Sequence, residues 1–348
     1  AGDSLAILTI AQRMNLMADF DTGKRMEYWN GVSLWEKTDD GVTDDMVGRV
    51  RSLSLRMFNT DETVPFEISK LKYLESLTIG SNENYFRKDI SLGTNNIVKL
   101  QHLKRLTIMA YGLKDLPEEF KNLGRTLESL TISSEHLTEF PSWLNKTNFP
   151  KLRTLNFFSI RASGWQKDLR PENSSNIKGL RKDISSGSDK KWFINMMKWD
   201  NLDTLRLNVN YLEGTLPTDA DMRSNGFPVY QASDTADTKE HKIPTALVSG
   251  RVPKVLPNTH FLAINLNFLT GTVPNWIMWH PHLLDWNAFT FIFSQETGSD
   301  TYTSDGKRPG FSNEPQSYNF FYEMYPWRKY SQDDTETTTR SMKRLRRH

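Results

Sequence analysis

The sequence predicts an α/β-type solenoid. Short parallel strands would form one concave sheet, with irregular or 3-10 connections on the convex side, a helical N-terminal cap and an aromatic C-terminal cap. Three observations carry this. One apolar spacing recurs seven times along the 348 residues, apolar–Pro pairs follow most of the copies, and two copies extend into a longer shared motif. The copies are Val50-Arg-Ser-Leu53-Ser-Leu55, Leu74-Glu-Ser-Leu77-Thr-Ile79, Leu103-Lys-Arg-Leu106-Thr-Ile108 and Leu127-Glu-Ser-Leu130-Thr-Ile132, then Leu152-Arg-Thr-Leu155-Asn-Phe157, Leu202-Asp-Thr-Leu205-Arg-Leu207 and Leu262-Ala-Ile264. Steps between the central apolar residues are 24, 29, 24, 25, 50 and 57, so the last two contain a repeat plus an insertion. Alternation of apolar and polar residues specifies a strand with one buried face. One such unit cannot bury its leucines alone, so copies must stack around a continuous core.

The pairs Val64-Pro65, Leu116-Pro117, Phe140-Pro141, Leu216-Pro217 and Val273-Pro274 fall where the chain leaves the strand for the convex side. Proline has no N–H to leave unpaired there. The period matches that of leucine-rich repeats, 20–29 residues. Leu205-Arg-Leu207-Asn-Val-Asn210-Tyr-Leu212-Glu-Gly214-Thr-Leu216-Pro217 and Ile264-Asn-Leu-Asn267-Phe-Leu269-Thr-Gly271-Thr-Val273-Pro274 resemble the LxLxxNxLxGxIP repeat of plant receptors and bacterial surface proteins. The resemblance implies that the motif asparagine turns inward and bonds backbone groups of adjacent loops. Asn82, Asn210 and Asn267 hold that position, whereas Phe58, Tyr111, Glu135 and Ile160 replace it elsewhere.

The expected organisation is an N-terminal cap over 1–48, repeats over 49–274 with insertions near 161–198 and 218–254, a C-terminal cap over 275–331, and a basic tail over 332–348. Asp3 to Met17 has helical spacing, with Asp3-Ser4 as its N-cap. Tyr28-Trp29-Asn-Gly31-Val32-Ser33-Leu34, followed by Gly48-Arg49-Val50, resembles the family's N-terminal cap, with Leu34 where the plant version carries a disulfide cysteine. That departure favours a bacterial, disulfide-free variant. The aromatic run from Trp276 to Phe293 would cover the last repeat.

Composition excludes several chemistries. There is no cysteine, so disulfides, thiolate catalysis and Cys-ligated metals are out. The net charge of +2 is local: five of the 44 basic residues lie in Arg340–His348, leaving 39 against 42 acidic groups elsewhere. A basic face for nucleic acid is therefore absent. No apolar run is long enough for a transmembrane helix. Ala1–Ser4 is not a signal peptide, and a lipid anchor preceding residue 1 is compatible with the chain. None of the common hydrolase, zinc-protease or nucleotide-binding motifs occurs. His280 and His282 lack a third ligand, and Asp39-Asp40 with Asp44-Asp45, or Asp234 with Asp237 and Glu240, lack the spacing of a Ca²⁺ loop. No catalytic residue, metal or cofactor is implied.

What remains is the concave strand face. Its central column is Ser54, Thr78, Thr107, Thr131, Asn156, Arg206 and Ala263, and the next is Arg56, Gly80, Met109, Ser133, Phe158, Asn208 and Asn265. Apolar groups among polar ones on an outward face mark a partner surface. The expected partner-binding residues are Arg56, Met109, Phe158, Arg206, Asn208 and Asn265. Trp165, Trp192 and Tyr230, in the insertions, are the candidates for stacking on a sugar. The expected function is non-enzymatic recognition at a bacterial cell surface, of a protein through this face and its loops. A glycan ligand is the alternative, and a hydrolase stands third.

Overall fold

The computed structural model describes residues 2–56, 63–80, 92, 96–109, 113, 116–133, 137, 139–158, 180, 182–227, 255–278, 280, 282–283, 285–296 and 310–313, with the backbone of 235–237 and 242–244. Asn82, Trp165 and Tyr230 lie outside these residues, as do Phe58, Tyr111, Glu135, Ile160 and the tail from 332. The chain divides into two compact units, Ala1–Leu180 and Arg181–His348.

Unit 1 opens with helix α1 (Gly2–Arg13), whose Ile7, Ile10 and Ala11 are buried. The helix stops short of the Met17 that spacing predicts, and Asn15 stands beyond it at a left-handed φ of 57°. Asp3 does not act as the expected N-cap. Its carboxylate instead accepts from Arg49 Nε (3.0 Å), Arg49 Nη2 (2.8 Å) and the Val50 N–H (2.9 Å), tying the helix to the first repeat.

Strand β1 (Val32–Leu34) runs antiparallel to β2 (Val50–Leu55). From β2 onward every neighbouring pair in this unit is parallel: β3 (Ser76–Gly80), β4 (Arg105–Met109), β5 (Ser129–Ser133) and β6 (Thr154–Phe158). The register aligns Leu53, Leu77, Leu106, Leu130 and Leu155 in one row, and Leu55, Ile79, Ile108, Ile132 and Phe157 in the next. All ten are buried. Burying each such side chain stabilises by roughly 1.5–3 kcal/mol. A slip of one residue would turn Ser52, Thr78, Thr107 and Thr131 into the core, which is why the period-2 pattern specifies the register.

Short 3-10 helices connect the strands: Phe66–Lys70, Ile97–Lys99 and Glu118–Arg125. Pro65 and Pro117 occupy the residue just before two of them, at φ −64° and −57°. Proline's fixed φ suits that entry. Each 3-10 segment returns apolar residues to the core, among them Ile68, Ile97, Phe120 and Leu123.

Unit 2 contains helix α2 (Gly187–Met197), β7 (Thr204–Arg206), β8 (Glu213–Thr215), helix α3 (Asp219–Ser224), the antiparallel pair β9 (Thr235–Asp237) and β10 (Lys242–Pro244), then β11 (Phe261–Ala263) and β12 (Phe268–Thr270). β7 and β11 pair in parallel, Leu205 beside Leu262. β8 and β12 form a second parallel pair, Gly214 beside Leu269. The motif glycines serve this second sheet. Gly214 (φ 86°) and Gly271 (φ 76°) both require the left-handed region. A Cβ on Gly214 would lie 2.0 Å from Ser185 Oγ, and one on Gly271 2.8 Å from Thr215 Cγ2.

In the segment between β11 and β12 sits Asn267, fully buried. Its Oδ1 accepts from the N–H groups of Asn210 (2.8 Å) and Leu212 (3.2 Å). Its Nδ2 donates to the carbonyls of Leu207 (3.1 Å) and Ile264 (2.8 Å). Asn210 Nδ2 also donates to Leu207 O, at 2.9 Å.

Helices α4 (Asn275–Met278) and α5 (Ala288–Phe291) follow β12. Trp276 and Trp286 are fully buried, and their indole N–H groups donate to Pro217 O (2.7 Å) and Thr259 O (2.8 Å). The end of α5 and the chain after it continue the hydrogen bonding past β11: Ile264 N–H donates to Phe291 O and Leu266 N–H to Ser294 O, both at 2.8 Å.

Asp219 accepts from the N–H groups of Asn275 (3.2 Å) and Trp276 (2.8 Å) at the start of α4. Burial pushes its carboxyl above the ordinary 3.8, against these two bonds, which pull it down. A raised carboxyl binds its proton more tightly in the folded state, so Asp219 adds stability as pH falls from neutral toward 3.8. Asp219→Asn is expected to leave stability near neutral pH within about 1 kcal/mol while removing that increment, and Asp219→Ala to cost about 1 kcal/mol through the lost cap. Melting both variants and the parent from pH 7 to pH 4 checks the sign; an increment that survives in Asp219→Asn contradicts it.

Candidate functional site

Unit 1 presents five parallel strands whose outward side chains form a grid. Strand by strand it reads Ser52, Ser54 and then Arg56; Ser76, Thr78, Gly80; Arg105, Thr107, Met109; Ser129, Thr131, Ser133; Thr154, Asn156, Phe158. Arg56 is exposed, and Met109 and Phe158 are half-buried. They stand one strand either side of Ser133, in register with it. Ser133 is 0% exposed and its hydroxyl has no hydrogen-bond partner. On the diagonal from it, opposite Thr131, Asn156 Nδ2 donates to Thr131 Oγ1 at 3.0 Å, while Asn156 Oδ1 is buried and unpartnered.

An ion-pair chain borders this grid. Asp39 Oδ1 meets Arg51 Nη1 at 2.9 Å, Arg51 Nη2 meets Glu75 Oε1 at 3.2 Å, and Arg105 Nη2 meets the same oxygen at 2.8 Å. Arg51 also lies 4.5 Å from the centre of the Trp35 ring. Glu75 is buried, and the two arginines supply its polar partners there. The chain fixes Arg51 and holds the half-exposed Arg105 at the rim of the grid. Sequence reasoning singled out neither Glu75 nor Asn156. A signal for the first exists in the residues entering successive strands, Arg51, Glu75, Lys104, Glu128 and Arg153, whose charges alternate.

The other expected partner residues fall in unit 2. Arg206 is exposed, with its guanidinium 4.5 Å from the centre of the Phe261 ring. Asn208 and Asn265 lie two residues past the ends of the paired strands β7 and β11, and the side-chain oxygens of both are buried without a partner. Asn265 is only 7% exposed, so it does not present the outward surface expected of it. Trp192 is a half-buried residue of α2, 6.3 Å ring to ring from Phe193.

The titratable groups with recognisable chemistry are engaged structurally. His280 Nε2 bonds Val255 O at 2.6 Å and its Nδ1 accepts from the His282 N–H at 3.1 Å, which makes it the Nε2–H tautomer. His282 lies 2.9 Å from Pro257 O and 3.4 Å from Asp285. Hydrogen bonds from Thr43 and then Tyr73 hold the Asp45 carboxyl below its ordinary value. Among the described residues, no three His, Asp or Glu side chains gather as metal ligands, and no helix is long and apolar enough to cross a membrane.

No family model and no curated relative matches the chain. Solved structures similar to it include a plant ice-binding protein (17% identity, 80% of this chain and 60% of that chain, TM-score 0.35). A second is the Arabidopsis receptor kinase HAESA in complex with the peptide hormone IDA and the co-receptor SERK1 (18%, 81% and 40%, TM-score 0.38). A third is the leucine-rich-repeat ectodomain of the Arabidopsis thaliana receptor kinase GASSHO1/SCHENGEN3 with CASPARIAN STRIP INTEGRITY FACTOR 2 (17%, 82% and 29%, TM-score 0.39). The chain thus spans 60% or less of the length of each. Likenesses at this level do not extend to what the chain binds. The parallel register and the buried apolar rows of unit 1 show a stack of repeated strands.

Proposed function

We propose that the chain is a non-enzymatic recognition protein that binds a protein partner on the strand face of unit 1 and its adjoining loops. Its setting, in this reading, is a bacterial cell surface, either secreted or anchored in the envelope. The observation that carries the reading is the row Met109–Ser133–Phe158. Two large apolar side chains stand half-exposed on a face otherwise made of hydroxyls, Gly80, Asn156 and an arginine rim. Such a combination of apolar anchors and a polar surround supports protein binding. A rigid sheet also loses little entropy on binding. Support for the sugar alternative is weaker: of Trp165, Trp192 and Tyr230 only Trp192 falls among the described residues, and it is half-buried on α2.

The test is a pull-down from host and bacterial surface proteins, run beside a glycan array, with the wild-type chain and with Met109→Ser/Phe158→Ser. Loss of two anchors is expected to weaken capture by at least about 30-fold. The fold should lose only about 1–2 kcal/mol, because both side chains are half-exposed already. Capture that persists in the double variant, or binding confined to glycans, would sink the reading.

A further inference from the structure

We propose that Met109, Ser133, Asn156 and Phe158 form a slot for a phenolic ring, the side chain of a tyrosine on the bound protein. The inference rests on the strand face being the binding face, and adds what it selects.

Met109, Ser133 and Phe158 occupy three consecutive strands at one register position. Strands lie about 4.8 Å apart, so the two apolar residues are separated by about 9.6 Å, with a small side chain between them. An aromatic ring in van der Waals contact on both sides needs roughly 7–8 Å. Phe158 can meet such a ring in offset or edge-to-face geometry, and the Met109 thioether makes favourable sulfur–aromatic contact. Ser133 is sealed from solvent in the free chain, so the ring must displace what covers it, and methionine's unbranched side chain beside it repacks easily.

The floor of the slot selects the ring's substituent. Ser133 Oγ and Asn156 Oδ1 are both buried and both lack a partner. A group that donates to one and accepts from the other satisfies the pair. A phenolic hydroxyl does so; a phenylalanine or leucine leaves both unmet, which is costly in a dry site. An ammonium fits less well. No acidic side chain stands on the outward grid of β4, β5 and β6, and Arg105 lies at its rim.

The test uses the whole chain with ¹³C-labelled methionine methyls, titrated with N-acetyl-tyrosinamide and with N-acetyl-phenylalaninamide. The Met109 methyl resonance, assigned with Met109→Leu, is expected to shift with both, and to report about tenfold tighter binding of the tyrosine derivative. In Ser133→Ala that preference should fall toward unity. The same variant should melt no lower than the parent, since it removes a buried hydroxyl that has no partner. Equal affinity of the two probes for the wild-type chain, or no Met109 shift with either, overturns the slot. If the double Met109/Phe158 variant still loses protein capture while the probes show no preference, the slot alone falls and the binding face stands.

Discussion

Replacing Asn267 with leucine is expected to destabilise unit 2 by about 4 kcal/mol. The side chain makes four hydrogen bonds, all to backbone: it accepts from Asn210 and Leu212 and donates to Leu207 and Ile264. Leu207 O keeps Asn210 Nδ2 and Ile264 O keeps Gln295 Nε2, so the Asn210 and Leu212 N–H groups are the ones orphaned, at about 1–3 kcal/mol each. Leucine has nearly the same volume, so the loss isolates hydrogen bonding from cavity formation. Against a typical domain stability of about 5–15 kcal/mol, this is a large fraction. Denaturant unfolding gives the total. Hydrogen exchange at the Asn210 and Leu212 amides locates it, because those two N–H groups should lose protection first. A cost below about 1 kcal/mol, or protection unchanged at both amides, would mean that water or another group replaces the asparagine.

The second large effect is expected at Trp276. Its ring is fully buried and its N–H donates to Pro217 O at 2.7 Å. Trp276→Ala should cost about 3–5 kcal/mol through the cavity left behind. Trp276→Phe fills most of the same space and loses mainly the bond to Pro217, so about 1–2 kcal/mol is expected. The difference between the two variants, measured by equilibrium unfolding, separates packing from polar anchoring. If alanine costs no more than phenylalanine, the ring is not the core element that its burial indicates.

The buried leucine rows were legible in the sequence because the period of two and the recurrence every 24–29 residues leave one register that buries them all. The motif positions Asn210 and Asn267 were legible because each bonds the carbonyl three residues before it, whereas the other partners of Asn267, 55–60 residues away, were not. Partners brought together across strands were harder to see. Glu75 lies 24 residues from Arg51 and 30 from Arg105, and only the register puts one carboxylate between two guanidinium groups. Asp3 shows the limit of local rules. Its position favours an N-cap, yet Arg49 and the Val50 N–H, 46 and 47 residues away, compete for the same oxygens. Alternation places Asn265 on the outward side of its strand but says nothing of what packs above it, and burial follows from the latter. Met109 and Phe158 were legible as apolar residues on a polar face. The unpartnered hydroxyl between them was not, since it depends on three strands at once.

The central claim is that the strand face of unit 1 takes the partner. Hydroxyl-radical footprinting of the chain, free and bound to its captured protein, tests it most directly. Met109 and Phe158 should lose labelling on binding, while Met17 and Tyr28, 42% and 68% exposed in the N-terminal region, should label as before. Unchanged labelling of Met109 and Phe158, with protection at Met17 and Tyr28 instead, would contradict the account.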